Sequence, residues 1–216
     1  MKRHDIYGRA HKALRAAMGD VMVVLGRTDP ADECEVLESH ARLEELLALC
    51  EEHAALENAF IHRAIEERRP GAACAFAAEH EAQADEVERL RAAAAARAPD
   101  LHRRLAAFVA RNLLHMEEEE ARGNALLWAI FDDAELAAIE HRLVASKPPG
   151  RAMQALRWMI PAMSHAERVA TFAALAAAPA AAREAALALA QTHLRPGDMG
   201  KLAAALAQRD PATLES

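Results

Sequence analysis

Between Leu43 and Ala64 the inward-facing positions recur in steps of three and four residues, through Leu43, Leu46, Cys50, Phe60 and Ala64, and the same stripe passes through His53 and Glu57. Such steps put every member on one face of an α-helix, so the histidine and the carboxylate point where the leucines point. A second stripe, Leu105, Phe108, Asn112, His115, Glu119 and Leu126, repeats the H-x-x-x-E spacing. A carboxylate buried without a partner is strongly penalised or forced neutral. Each stripe therefore calls for a compensating cation.

The same periodicity lays out the rest of the chain. A first helix is expected from about Asp5 to Leu25, with Tyr7, His11, Leu14, Met18, Val21 and Leu25 on its inner stripe. Asp29-Pro30 reads as an N-cap followed by a proline in the first turn of the next helix, which runs until Pro70-Gly71 stops it near Arg69. A third helix is expected from about Ala72 to Ala98, its inner stripe being Ala73, Phe76, His80, Ala84, Val87 and Leu90. After Pro99, Asp100 caps a fourth helix that continues to about Ile130. Four long helices with short turns predict an all-α, up-down-up-down four-helix bundle over residues 1–131. Residues 132–216 break into short helices between Pro148-Pro149-Gly150, Pro161, Pro179 and Pro196-Gly197, a C-terminal extension packed on or beside the bundle. Within it, Ser164 and Glu167 have capping-box spacing.

Composition narrows the class. Aromatics are only 4% of the 216 residues and β-branched residues are sparse, which leaves little material for sheet. With 26 basic against 33 acidic residues and no long Lys/Arg block, nucleic acid is not an expected partner. No apolar run approaches a membrane span, so no membrane is expected. Cys34, Cys50 and Cys74 are an odd number without C-x-x-C spacing, which reads as three small buried apolar residues in a reducing, cytoplasmic compartment.

In such a bundle the second and fourth helices lie diagonally opposite and run parallel, so Glu57 and Glu119 meet across the core. The first and third helices each add one inward histidine, His11 and His80. Four imidazoles and two carboxylates, His11, His53, Glu57, His80, His115 and Glu119, suit two metal ions bridged by the carboxylates. Roughly two positions then remain on each octahedral ion for solvent and an exogenous ligand. Mixed imidazole and carboxylate ligation favours iron or manganese over structural zinc.

H-K-A-L-R around His11, the H-x-x-x-E at His53, E-H at His80 and H-M-E-E-E at His115 resemble the hemerythrin family of cation-binding four-helix bundles over about residues 4–131. The resemblance implies a non-haem centre of two iron ions (Fe2+/Fe3+) on those six residues, with a small diatomic ligand or peroxide as partner. It is not to the oxygen carriers, whose third helix supplies H-x-x-x-H; here Phe76 and Ala84 flank His80 at that spacing. The two H-x-x-x-E pairs are similar instead to the branch containing iron-centre repair proteins and an iron- and oxygen-sensing domain. Repair, sensing and detoxification of oxygen or nitric oxide are all compatible with it.

Other readings stay open. The metal, zinc included, could be structural in a regulatory module whose C-terminal helices engage a protein partner or a second copy. Glu120 competes with Glu119 as ligand. Tyr7 is either a core aromatic or a donor to a bound ligand, and His4 either lies in a frayed terminus or adds to the site. His62 falls two residues past Phe60, off the stripe, and is assigned to the surface or a cap with His40, His102, His141, His165 and His193.

Overall fold

A computed structural model describes residues 3–209. Among them every regular element is helical and no strand occurs. The elements are α1 (Gly8–Arg27), α2 (Glu33–Leu56), π1 (Glu57–His62), α3 (Arg63–Arg68), α4 (Cys74–Ala95), α5 (Leu101–Glu118), π2 (Glu119–Gly123), α6 (Asn124–Ile130), α7 (Asp133–Ala145), α8 (Pro149–Ala162), α9 (His165–Leu175), α10 (Ala180–His193) and α11 (Pro196–Arg209). None of these helices is long and apolar enough to cross a membrane.

The chain divides into two compact units, residues 1–146 and 147–216, with α7 in the first. In the first unit α2, π1 and α3 form one continuous rod, and α5, π2 and α6 another. α1 packs on α2 and α5, and α4 packs on α5 and α2. Leu136 and Ile139 on α7 join Ile6, Tyr7, Ile61, Ile65 and Leu127 in one apolar cluster, which is why α7 belongs to this unit. Arg3 fastens the start of the chain there, donating to Asp133 and to the Trp128 and Phe131 carbonyls. In the second unit, α8 to α11 close over Ile160, Phe172, Ala186, Ala190, Leu194 and Leu202.

Several local expectations are corrected. α2 is capped by Asp32, whose carboxylate accepts from the Cys34 and Glu35 N–H groups; Asp29 serves the preceding turn by accepting from Ala31 N. Asp100 gives no side-chain cap to α5, because its carboxylate pairs with Arg103 and Arg104. Cys50 is buried but Cys34 and Cys74 are exposed, since both lie in the first turn of a helix, away from the packed stripes. The Ser164/Glu167 capping box is present at the start of α9. At Gly71 φ is +83°, a left-handed conformation glycine adopts without strain, and Glu66 secures this turn by accepting from the Gly71 and Ala73 N–H groups.

The largest correction concerns helical register. At π1 the Arg63 N–H reaches back five residues to the Asn58 carbonyl, and at π2 the Asn124 N–H reaches the Glu119 carbonyl. Each widened turn absorbs one extra residue. Beyond Glu57 the fully buried position is therefore Ile65, and Phe60 is only partly buried. Beyond Glu119 it is Leu127, and the expected Leu126 is only partly buried.

Candidate metal centre

On each of four helical segments a histidine, alone or with a glutamate, breaks the apolar stripe at the same layer. Tyr7 precedes and Leu14 follows His11 on α1; Cys50 precedes and Ile61 follows the His53/Glu57 pair. Phe76 and Val87 bracket His80 on α4, and Phe108 and Leu127 bracket the His115/Glu119 pair. All six expected residues thus share one layer. His11, Glu57, His80, His115 and Glu119 are buried there, while His53 is partly exposed.

Ligand atoms of these six fall into two groups, each mutually within 4.8 Å: His11, His53, Glu57 and Glu119, and Glu57, His80, His115 and Glu119. The two carboxylates belong to both. Glu119 Oε2 lies 3.3 Å from His11 Nε2, whereas its Oε1 lies 3.3 Å from His115 Nε2 and 3.5 Å from His80 Nε2. Glu57 Oε1 is 3.5 Å from His11 Nε2, and its Oε2 is 3.1 Å from His53 Nε2 and 3.4 Å from His80 Nε2.

The outer ring nitrogens are engaged by acceptors, which orients the inner ones. His11 Nδ1–H donates to Glu120 Oε1 at 2.9 Å, and Arg15 holds that same oxygen at 2.6 Å. Glu120 therefore stands behind His11, and Glu119 is the carboxylate inside the layer. His115 Nδ1–H donates to Glu79 Oε2, and His80 Nδ1–H to Asn58 Oδ1 at 3.0 Å. With Nδ1 as donor, each neutral ring turns its Nε2 lone pair inward.

The layer is consequently built almost wholly of acceptors. His11 Nε2, His53 Nε2, Glu57 Oε2 and both Glu119 carboxylate oxygens are buried without a hydrogen-bond partner. Buried polar atoms are normally paired, so such a concentration marks a place for cations. Two donors about 2.1 Å from one ion and at right angles to each other are about 3 Å apart. The 3.1–3.5 Å separations here approach that geometry, and all but the shortest exceed a good hydrogen bond. The buried His/Glu cluster fits a metal ion.

Without an ion, protons carry part of the compensation. Burial works to lower His11, but contact with Glu119, Glu120 and Glu57 outweighs it and lifts the imidazole to about 11. Burial is likewise overcome at His80, which Glu119 and Glu57 raise to about 9. His53 goes the other way, pushed down to about 4 by burial that Glu57 only partly offsets. Burial would raise Glu119, yet the imidazoles around it hold it far below the usual carboxylate range.

Sequence reasoning placed His62 outside the core, and this is corrected. The extra residue in π1 rotates His62 inward, where it is 3% exposed and its ring stacks on His80 with centroids 5.1 Å apart. The available signal was its position five residues after Glu57, which only a widened turn brings to the inner face. Tyr7 is fully buried, stacked on His11 at 5.5 Å, with its hydroxyl unpartnered. His4 pairs with Glu140 outside the layer, and Asn112 donates to the Phe108 carbonyl one turn back on its own helix. His102, His141, His165 and His193 are exposed as expected, and His40 is partly buried.

Compared with protein-family models, curated proteins and solved structures, the chain matches none.

Proposed function

We propose that the first unit is a hemerythrin-like, up-down-up-down four-helix bundle that holds two iron ions and binds, senses or reacts with oxygen, nitric oxide or peroxide. The ring of contacts α1 to α2 to α4 to α5 and back to α1 supports that arrangement. The observation that carries the metal reading is the buried cluster of histidine and glutamate ligand atoms drawn from four helices, several of them without a hydrogen-bond partner. Mixed nitrogen and oxygen donors without a thiolate favour iron or manganese over a structural zinc.

In this reading His11 and His53 would hold one ion and His80 and His115 the other, with Glu57 and Glu119 within reach of both. When bound, such a pair of ions supplies redox-active Lewis-acid centres for a small ligand. The chain's own outer groups engage Nδ1 and so aim Nε2 of each imidazole inward: Glu120 behind His11, Glu79 behind His115, Asn58 behind His80. Two surface grooves support access by a small molecule. One, of about 260 Å³, is lined by Cys50, Asn58, His80 and Val87; the other, of about 270 Å³, by Glu79, Arg111 and His115.

The test is metal analysis of the purified protein combined with an optical spectrum taken before and after nitric oxide. Two irons per chain and a new iron-nitrosyl absorption are expected. A single redox-silent zinc would replace this reading with that of a structural metal.

A further inference from the structure

Within that two-ion reading, on which this inference rests, we propose that His62 is a further metal ligand, making the two ions unequal. His62 lies off every α-helical stripe of the sequence and reaches the layer only through π1. Its Nδ1–H donates to Asn58 Oδ1 at 2.8 Å, and the same oxygen accepts from His80 Nδ1–H at 3.0 Å. One amide oxygen thus orients two imidazoles. Their rings lie 20° from parallel, and both direct Nε2 to the same atom, Glu119 Oε1, at 3.6 Å from His62 and 3.5 Å from His80.

A simple core histidine would use its inner nitrogen in a hydrogen bond. His62 Nε2 is buried and has none, and 3.6 Å to a carboxylate oxygen is too long to be one. His115 Nε2, 3.3 Å from the same oxygen, completes a set of three imidazoles around Glu119 Oε1. On the other carboxylate oxygen only His11 Nε2 approaches, at 3.3 Å, and the ligand atom of His53 groups with that of His11. The distribution is three nitrogens against two. The ion between His11 and His53 keeps more positions open. His62 is a ligand in this scheme, and Asn58 is a positioning residue for His62 and His80 together.

The experiment titrates metal-free protein with Co2+ anaerobically and follows both binding steps by calorimetry. In the unmodified protein two ions are expected. His62→Leu should weaken one step by more than the roughly 10–100-fold typical of losing an outer partner and leave the other step unchanged. His53→Leu should weaken the opposite step. Unchanged affinities in His62→Leu would overturn the role of His62 and leave the two-ion reading intact, whereas no Co2+ uptake by the unmodified protein would overturn that reading itself. If His62→Leu does not fold, His62→Gln is read instead, since its amide can still meet Asn58 but lacks the imidazole. Mössbauer spectra of unmodified protein loaded with 57Fe give two doublets of equal area for three nitrogens against two. A single doublet would refute the inequality.

Discussion

His80 Nε2 and His115 Nε2 face each other across 2.9 Å in the interior, while the Nδ1 of each ring is already committed to an oxygen acceptor. Two neutral rings in this pose oppose lone pair to lone pair, which one proton or one shared ion must relieve. A bound ion stabilises the fold by mass action, by about 2.7 kcal/mol when its free concentration is a hundred times its Kd. The melting temperature should therefore fall measurably when chelator strips the purified protein at neutral pH, and recover on adding Fe2+ anaerobically. A melting temperature unmoved by both treatments would refute ion binding at this pair.

Metal loading should also expel protons. In metal-free protein His11 and His80 are held up to about 11 and about 9, so both are charged at neutral pH, and a ligand imidazole must be neutral. Loading at neutral pH is expected to acidify a weakly buffered solution, and zero proton release would contradict the raised values. The metal-free fold carries the same signature. Groups raised in the folded state contribute stability below the imidazole reference of 6.5 and lose it as pH rises through about 9 and then about 11, whereas His53, lowered to about 4, contributes above 6.5 and loses it as pH falls through about 4. The melting temperature of metal-free protein should peak near pH 6.5 and fall on either side, and a continuous rise to pH 10 would count against this balance.

Glu120→Gln isolates the support behind His11. Glu120 is held down to about 2, where burial is outweighed by contact with His11 and Arg15, so it is a carboxylate throughout the working range. Its amide replacement still accepts from Nδ1 but without charge. Ion affinity is expected to fall by about 10–100-fold with stoichiometry unchanged. Loss of a whole ion in this variant would instead make Glu120 a direct ligand.

Register beyond the metal layer can be read from two alanine substitutions. Leu127 is fully buried and Leu126 only partly. Leu127→Ala should cost about 2–5 kcal/mol in denaturant unfolding, and Leu126→Ala about 1 kcal/mol. The reverse order would restore an uninterrupted α-helix through residues 119–130.

How far the sequence discloses this molecule changes at the two glutamates. Up to Glu57 and Glu119 the spacing of Leu43, Leu46, Cys50 and His53, and of Leu105, Phe108, Asn112 and His115, leads to the layer without error, because an α-helix repeats faithfully. Past those residues the same arithmetic names Phe60, Ala64 and Leu126; Ala64 is buried, but the most deeply buried positions are Ile61, Ile65 and Leu127. A widened turn has no strong composition, so its mark in the sequence is indirect: Ile65 and Leu127 each lie one residue beyond the position that the preceding stripe names, Ala64 and Leu126. His62 was misplaced for the same reason. Glu79 and Asn58 were illegible because a partner lying behind a ligand comes from whichever rod happens to pack there.

The two π turns also separate what the fold tolerates from what the site tolerates. A widened turn is an α-helix carrying one surplus residue, and the helix beyond it resumes the facing it would have had without that residue. Removing one residue from 57–62 would let α2 run straight into α3 with Ile65 still on the inner face, so the apolar packing on either side would survive. What would vanish is the placement of Asn58 and His62 against His80. In a lineage of such chains, a one-residue gap at this point would therefore separate proteins of unchanged shape but different ion chemistry.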